Sequence, residues 1–418
     1  MTNTLKILLS LFCILGVGKL SIAEEEGKDK PNAKVTIIQA GTLLAIPGEG
    51  PLEKQSIFIE DGKIAEVQNG FQSGNDLEDT DVTIINLQDK FVMPGLMDVH
   101  VHLVGGRGNA ADHAIAGVVN AKKTLDAGYT TVRDIGAPDD TIYKLRTSIN
   151  KGDVIGPRIF SAGQIIGVGS RTSGKECNGQ ESCRRTARDN INEGADWIKI
   201  YSSCSGSKLC SHKDGAPMFF EDEIEAVFEV AKKHGVKVAA HSHPRDSALM
   251  VLNYDISSIE HGSFMNDVAL KKMVEKGVFF VPTVSVHDML ERVKKEGKIP
   301  DEMIAHNDTF LEGHPDTIMR AYEMGVKLAT GSDAGIVPHG KNYREIERFV
   351  DMGISKSDAL MMATVNTADL LDKSDDLGTI EAGKLADIIA LDGDPLHDIK
   401  DIEKVSFVMK EGKVYKKD

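Results

Sequence analysis

The middle of the chain alternates short apolar runs with amphipathic segments of helical period. Residues 221–234, EDEIEAVFEVAKKH, carry apolar side chains at three- and four-residue spacing and precede Gly235, which predicts a helix that ends there. Eight apolar runs predict strands: LMDVHVH, TTVRDIG, RIFSAG, DWIKIYS, KVAAHSH, SSIEHGS, VFFVPTV and KLATGSDA. Eight strands, each followed by a helix or a loop within residues 94–373, predict an α/β protein with a (β/α)8 TIM barrel.

The two ends of the chain share a different pattern, in which short β-rich runs are broken by Gly, Pro and Asp-Gly turns. KVTIIQAGTLLAIPG and QSIFIEDGKIAEVQNG near the start are matched by KLADIIALDGDP and VSFVMKEGKVYKK at the end. Residues 34–93 and 374–418 are therefore predicted to form one small β-sandwich domain. An open, doubly wound sheet is the alternative to the barrel. The matching β-rich ends and the absence of a Gly-rich nucleotide loop after the first strand weigh against it.

The first residues have the layout of a secretory signal peptide. Lys6 precedes an apolar segment, residues 7–17, and small residues follow at Ser21 and Ala23. We expect residues 1–23 to be a signal peptide, residues 24–33 to be a charged linker, and the protein to be secreted or periplasmic. Lys19 interrupts the apolar run too early for a membrane span, so none is expected in the mature chain.

The composition of the chain limits the kinds of molecule that it is expected to bind. The 418 residues are 41% hydrophobic and 27% charged, as in soluble globular proteins. A formal net charge of -15 disfavours nucleic acid, whose phosphates would be repelled. A small molecule or a dipeptide is therefore the expected substrate, and the oligomeric state stays open, a homo-oligomer included.

Four cysteines remain after the expected signal peptide, and they form two local pairs. Cys177 and Cys183 are six residues apart, as are Cys204 and Cys210. In an oxidising compartment, an even number of loop cysteines predicts disulfides. The connectivity is open, with the two local pairs as the simplest hypothesis. A zinc site of all four cysteines is disfavoured, because structural zinc sites use closer spacing.

Side chains that bind metal ions end five of the predicted strands. In HVH, residues i and i+2 point to the same side of a strand, so two imidazoles project together. Because the strands of a barrel end at one rim, we expect the whole set to meet there. A single residue of this kind could stand at a strand end by chance, but the whole set at five strand ends is not expected by chance. Its members are His100, His102, Lys199, His241, His243, His261 and Asp333.

These motifs, in this order, resemble the amidohydrolase superfamily. Within it, the chain is similar to exported metal-dependent dipeptidases and carboxypeptidases, of the Xaa-Pro dipeptidase and Xaa-Arg/Lys carboxypeptidase type, which are related to imidazolonepropionase. The matching segments cover nearly the whole mature chain. They are VMPGLMDVHVH, LDAGYTTVRDIGA, GPRIFSAG, GADWIKIY, VAAHSH, SSIEHGS, LATGSDAG and GTIEAGKLADIIALDGDP.

The resemblance implies two divalent metal ions, with zinc favoured by the imidazole-rich ligand set. His100 and His102 would bind the more buried ion, and His241 and His261 the outer one. Lys199 would bridge both as a carbamate, which avoids the cost of a bare buried ammonium. The alternative for this lysine is an ion pair with a neighbouring carboxylate.

Two of the strand ends leave a choice. His241 and His243 share a strand face; we favour His241 as the ligand because it closes VAAH, whereas Pro244 marks the loop after His243. Asp333 would bind metal and move the proton of a bridging hydroxide to the leaving amine; a helix cap is its alternative role.

The predicted reaction is hydrolysis of the peptide bond of a dipeptide or an N-acyl amino acid. Tyr201, on the same strand face as Lys199, is a candidate to hydrogen-bond the substrate, with ordinary packing as the alternative. The candidate substrate-binding residues are His113, Tyr201, His243 and Arg245. Hydrolysis of a lactone or a cyclic amide and a metal-free, non-catalytic homologue are the rival hypotheses. Six other histidines are expected to be solvated: His212, His234, His287, His306, His314 and His339.

Overall fold

The computed structural model describes residues 33–77, 80–106, 108–168, 174–203, 217–298 and 301–418, without the side chains of residues 33 and 301–310. The expected signal peptide, residues 24–32 of the linker, Cys204 and Cys210 lie outside the described residues. No helix within the described ranges is long and apolar enough to cross a membrane.

The described elements follow the order of the predicted ones. The strands are β1 (Ala33–Leu43), β2 (Leu52–Glu60), β3 (Lys63–Asn69), β4 (Thr80–Pro94), β5 (Leu96–Val101), β6 (Tyr129–Asp134), β7 (Arg158–Ser161), β8 (Ile166–Gly167), β9 (Lys175–Glu176), β10 (Trp197–Tyr201), β11 (Lys237–Pro244), β12 (Ser258–Phe264), β13 (Phe279–Val281), β14 (Ile388–Leu391), β15 (Val405–Lys410) and β16 (Lys413–Lys417). The helices are α1 (Ala110–Asp126), α2 (Thr141–Lys151), α3 (Gln180–Glu193), α4 (Glu221–His234), α5 (Arg245–Val251), α6 (Asp267–Lys276), α7 (Val286–Lys295), α8 (Asp301–Glu323), α9 (Arg344–Asp351), α10 (Lys356–Met362) and α11 (Val365–Leu370).

Local chemistry sets the helix ends. The Asn109 side chain accepts hydrogen bonds from the N–H groups of Ala111 and Asp112 and so caps α1. Helix α4 has the predicted bounds, and Gly235 ends it in the left-handed conformation, with φ of 65°. The helical period and the terminal glycine therefore located this helix correctly.

The first seven strands predicted for the barrel are all present. Strands β5, β6 and β7 form a parallel three-stranded sheet, and a second sheet has the order β13-β12-β11-β10-β8-β9. In β10, Ile198 and Ile200 pack in one apolar cluster with residues of α4, such as Ile224. The alternate residues Lys199 and Tyr201 line a cavity instead. This alternation places helices on one face and polar chemistry on the other.

The prediction of an eighth strand over residues 327–334 is wrong, because this segment does not form a regular strand. Its ends form isolated parallel bridges, Leu328 with Phe280 of β13 and Ala334 with Val101 of β5. Between them, a Cβ on Gly331 would lie 2.3 Å from Val281 Cγ1 and 2.7 Å from His100 Cβ. The segment therefore lies between the two sheets, where only glycine fits at residue 331. The fold is TIM-barrel-like with an additional β-structure.

Strands from both ends of the chain form one mixed sheet. Its order is β16-β15-β14-β4-β1-β2-β3, with β1 and β4 parallel. One apolar cluster combines residues of β2 and β3, such as Ile57 and Ile64, with residues of β14 and β15, such as Ile388 and Phe407. Both ends of the chain thus build a single hydrogen-bonded sheet whose two halves share a core, and the β-sandwich arrangement stays a prediction.

One of the two local cysteine pairs lies within the described residues. Cys177 and Cys183 form a disulfide, as local pairing predicts, and both are buried. The pairing of Cys204 with Cys210 remains a prediction.

Candidate metal centre and active site

The polar residues at the strand ends meet in one cavity of about 860 Å³. They come from β5, β10, β11, β12 and the segment 327–334. Of the residues predicted at the rim or as substrate-binding, the structure brings together His100, His102, Lys199, Tyr201, His241, His243, His261 and Asp333. The convergence follows from parallel strands whose carboxyl ends share one edge.

Two groups of possible ligand atoms share His261. The ligand atoms of His100, His261 and Asp333 lie within 4.8 Å of one another, as do those of His241, His243 and His261. Asp333 Oδ1 is 3.2 Å from His102 Nε2 and 3.8 Å from His100 Nε2. Three histidines and a carboxylate are thus close enough for a divalent metal ion to replace their mutual contacts.

The charge states at Asp333 favour a cation beside it. Burial opposes the charged form of His102, but its hydrogen bond to Asp333 raises the pKa of His102 to about 9. Burial also opposes ionisation of Asp333, yet His100 and His102 lower the pKa of this carboxyl to about 2. The site therefore holds positive charge next to an ionised carboxylate, and a divalent metal can supply that charge in place of a proton.

Two buried polar atoms without hydrogen-bond partners among the described residues indicate whether these residues could hold a metal ion. Lys199 Nζ and His241 Nε2 are buried and make no hydrogen bond within the described part of the chain. Burial lowers the pKa of Lys199 to about 8 and that of His241 well below its usual range. A neutral imidazole is the ligand form of histidine, and a neutral amine can react with carbon dioxide. Neither atom is expected to stay unpartnered in a folded protein, so the donor set fits a metal centre.

The alternative role of Lys199 is an ion pair with a neighbouring carboxylate. Its ammonium forms no ion pair with a carboxylate among the described residues, although Glu260 and Asp333 are near enough to act on its pKa. The structure therefore gives no support to the ion-pair alternative.

The backbone is strained at three positions of the site. His261, Thr283 and Asp333 have φ of 69°, 60° and 54°, in the left-handed region that non-glycine residues avoid. Such strain costs on the order of 1–3 kcal/mol at each residue and persists where the surroundings enforce it. Thr283 Oγ1 lies 2.8 Å from His261 Nδ1, so one strained residue fixes the ring of another.

His100 is oriented by a buried ion pair that sequence reasoning did not find. Its Nδ1 is 2.8 Å from Glu260 Oε2, and the other carboxylate oxygen accepts from Arg133 at 2.9 Å. Burial opposes ionisation of Glu260, but Arg133 and Lys199 hold its pKa well below its usual range. A carboxylate on Nδ1 leaves Nε2 of His100 free to bind metal. The motifs IEHG and TTVRDIG contain both residues, but neither motif shows that they meet.

Other buried carboxylates hold the segments next to Asp333 and Thr283. Asp98 accepts from Asn342 Nδ2 at 2.7 Å and from Ser332 Oγ at 2.5 Å, one residue before Asp333. Glu345 accepts from the N–H groups of Val284 and Ser285 at 3.0 and 2.7 Å. Burial raises the pKa of Glu345 to about 8.

The raised pKa of Glu345 predicts a dependence of stability on pH. Because the folded-state pKa exceeds the unfolded value, the contribution to stability is present at low pH and is lost as pH rises through about 8. We expect wild type to lose stability relative to Glu345→Gln between about pH 5 and about pH 8.5. Urea unfolding at both pH values measures this, with Glu225→Gln on the exposed face of α4 as the control. A difference independent of pH would contradict it.

Two candidate substrate-binding residues do not reach the cavity. His113 is buried in α1, where its Nδ1 lies 2.8 Å from Asp139 Oδ2. Arg245 begins α5, pairs with the adjacent Asp246 and is half exposed. Neither is among the described residues that line the cavity. The helix that follows each strand turned these side chains away, which strand order alone does not reveal.

Three histidines expected to be solvated are not. His287 and His314 are buried, with Nε2 of the first 3.1 Å from Nδ1 of the second. His339 lines the cavity, and its Nε2 is 3.1 Å from the carbonyl oxygen of His102. His234 is exposed as expected. His212 and the side chain of His306 lie outside the described residues.

A TIM-barrel-like fold that gathers histidines, a lysine and an aspartate at its strand ends defines the class of the protein as a barrel enzyme with a candidate metal centre. Residues 91–415 match the amidohydrolase family, and the chain belongs to that family. It is a hydrolase that acts on amide bonds.

Known relatives span nearly all of the chain. A solved Xaa-Pro dipeptidase with methionine bound in its active site is 34% identical, with a TM-score of 0.84 over 91% of this chain and 100% of that one. A prolidase complexed with N-methylphosphonate-L-proline is 26% identical, with a TM-score of 0.82 over 92% and 100%. An ochratoxinase of Aspergillus niger is 29% identical over 429 residues, which cover 92% of this chain and 87% of that protein.

Proposed function

We propose that the protein is a binuclear metal-dependent peptidase that releases the C-terminal amino acid of a dipeptide or an N-acyl amino acid. The observation that carries the proposal is the convergence of six ligand-type side chains in one cavity, with Lys199 Nζ and His241 Nε2 buried and without hydrogen bonds to described residues. Similarity to a Xaa-Pro dipeptidase and a prolidase supports the class of substrate.

In this proposal, His100, His102 and Asp333 would hold one metal ion, and His241 and His261 would hold the other. Lys199 would hold both ions as a carbamate, which its neutral amine would form by attack on carbon dioxide, with formation of an N–C bond and release of a proton. Zinc is favoured by the imidazole-rich donors. The bound metals would supply acidification of water and polarisation of the substrate carbonyl.

The protein's own residues then direct the proton and the substrate. Asp333 is ionised at neutral pH, since its pKa is lowered to about 2 despite burial. It takes a proton from the water that attacks the carbonyl carbon and returns it to the amine nitrogen as the C–N bond breaks. Tyr201, which lines the cavity with its ring centroid 4.3 Å from that of His241, would donate a hydrogen bond to the substrate. His243 lines the same cavity as a substrate-facing residue, with its Nδ1 2.8 Å from Ser263 Oγ.

Export is a separate part of the proposal. It rests on the apolar segment 7–17 with Lys6 before it and Ala23 after it, and on the Cys177–Cys183 disulfide, which is typical of oxidising compartments.

The test of the function compares a C-terminal acid with its amide. Zinc-loaded protein is expected to hydrolyse leucyl-alanine at least about tenfold better, in kcat/KM, than leucyl-alanine amide, because a charged group that loses its partner costs about 1.5–3 kcal/mol. Tyr201→Phe should reduce the rate on both. His113→Ala and Arg245→Ala, which do not line the cavity, serve as controls with an unchanged acid-to-amide ratio. Equal rates on acid and amide, or activity on lactones alone, would contradict the proposal.

A further inference from the structure

One face of α1 lies level with the end of β5 and forms a wall of the cavity. A Cβ on Gly117 would lie 2.7 Å from Val104 Cγ1, and Asn120 Nδ2 donates to the carbonyl of Leu103 at 2.9 Å. One turn further, Thr124 Oγ1 is 3.2 Å from His339 Nδ1, and His339 in turn contacts the carbonyl of His102. Residues 117–124 therefore run beside the chain that leaves the metal ligand His102.

Lys123, on this part of α1, gives that wall its charge. It lines the cavity together with Asn120, three residues earlier and so on the same helix face. Its neighbour Lys122 pairs with Asp126, whereas Lys123 forms no ion pair within the described part of the chain. The two lysines are adjacent in sequence, but among the described residues only Lys122 pairs with a carboxylate.

The charge balance of the cavity differs from that of the whole protein. The chain has 64 acidic and 49 basic residues, yet Asp333 is the one carboxylate among the described residues that line the cavity. Away from the metal ligands, the described lining is mainly apolar: Val104, Pro138, Ile165, Val286, Leu290 and Ile336. Because the Lys123 ammonium has no carboxylate partner among the described residues, a negatively charged group of a bound ligand would be its most favourable partner on this wall.

Lys123 is close to the metal centre through the contacts of its neighbour Thr124. The Thr124 hydroxyl contacts Nδ1 of His339, and Nε2 of the same ring contacts the carbonyl oxygen of His102. Lys123 therefore lines the same cavity as the candidate metal ligands, and the residue next to it is linked to the main chain of His102 through His339.

We propose that Lys123 binds a carboxylate of the substrate in the outer part of the cavity. This inference rests on the proposed peptidase function, and it narrows the substrates to dipeptides or N-acyl amino acids that carry an anion away from the scissile bond. The anion is either the C-terminal carboxylate or an acidic side chain of the same amino acid, and the two sources differ in the test.

Four compounds distinguish the two possible sources of the carboxylate. They are leucyl-alanine, leucyl-alanine amide, leucyl-glutamic acid α-amide and leucyl-glutamine amide. Wild type, Lys123→Met, Lys123→Arg and Lys122→Met are compared in kcat and KM, or in Kd by calorimetry where a compound is not hydrolysed. Lys122→Met removes an equal charge from the adjacent helix position and is the matched control.

We expect Lys123→Met to raise KM or Kd about fivefold for a compound with a carboxylate and to leave its neutral partner unchanged, since ion pairs of an exposed lysine contribute up to about 1 kcal/mol. An effect on leucyl-alanine identifies the C-terminal carboxylate, and an effect on the glutamic acid α-amide alone identifies the side chain. Lys123→Arg should retain binding, kcat should change little, and added salt should reduce the difference between wild type and Lys123→Met.

Equal effects of Lys123→Met on charged and neutral compounds, or the same loss in Lys122→Met, would overturn the role of Lys123 and leave the peptidase function intact. Absence of hydrolysis of every compound by zinc-loaded wild type would instead overturn the peptidase function. In that case the Kd values still decide the role of Lys123.

Discussion

Lys199→Ala is expected to lose both its metal ions and its activity. Wild type should carry about two divalent metals per chain, and the variant less than one, because a carboxylate-type bridge is what allows two cations to lie close together. We expect kcat/KM to fall by at least about three orders of magnitude, as for the loss of a group that holds a catalytic metal. Metal analysis and steady-state kinetics on the same preparations measure both effects.

The control and a direct signature make this prediction specific. Lys232→Ala removes a largely exposed lysine from α4 and should change neither metal content nor rate. Protein equilibrated with carbon-13 bicarbonate should show a carbamate resonance in wild type that is absent in Lys199→Ala. Retention of both metals and of normal turnover by the variant would show that Lys199 is not the bridge.

Glu260→Gln is expected to be the most destabilising conservative change at the site. The side chains of Arg133 and Glu260 are both completely inaccessible to solvent, so the variant leaves a guanidinium buried without its counter-charge. Breaking such a pair from one side costs about 3–5 kcal/mol. His100 also loses the carboxylate on its Nδ1, which should weaken metal binding by about 10–100-fold. Chemical denaturation and metal titration measure the two effects separately.

The double variant Glu260→Gln/Arg133→Met distinguishes the two contributions. Removing the guanidinium as well should recover much of the unfolding free energy, because no buried charge is left unpaired. Metal affinity should stay low, because the carboxylate that orients His100 is still missing. Full recovery of metal affinity in the double variant would contradict the positioning role assigned to Glu260.

The strand ends illustrate what periodicity could predict. His100 and His102 share a face because strand residues alternate, and Lys199, His241, His261 and Asp333 follow separate runs whose carboxyl ends meet in a parallel barrel. The structure brings all six to one cavity. Residues beyond the strands were predicted poorly, since Arg245 and His113 lie in helices whose orientation depends on packing.

The amino-acid sequence by itself determined most of the strands and their order, helix α4, the faces of the strands and the identity of the side chains at their ends, because helix and strand periods are local properties of the chain. Tertiary structure alone decided which residues support those side chains. His100 and Glu260 are 160 positions apart in sequence, and Asp98 and Asn342 are 244 apart. It also decided that Lys123 lines the cavity and that residues 327–334 bridge two sheets without becoming a strand. Contacts of this kind depend on how whole elements pack, and no local pattern in the sequence records that packing.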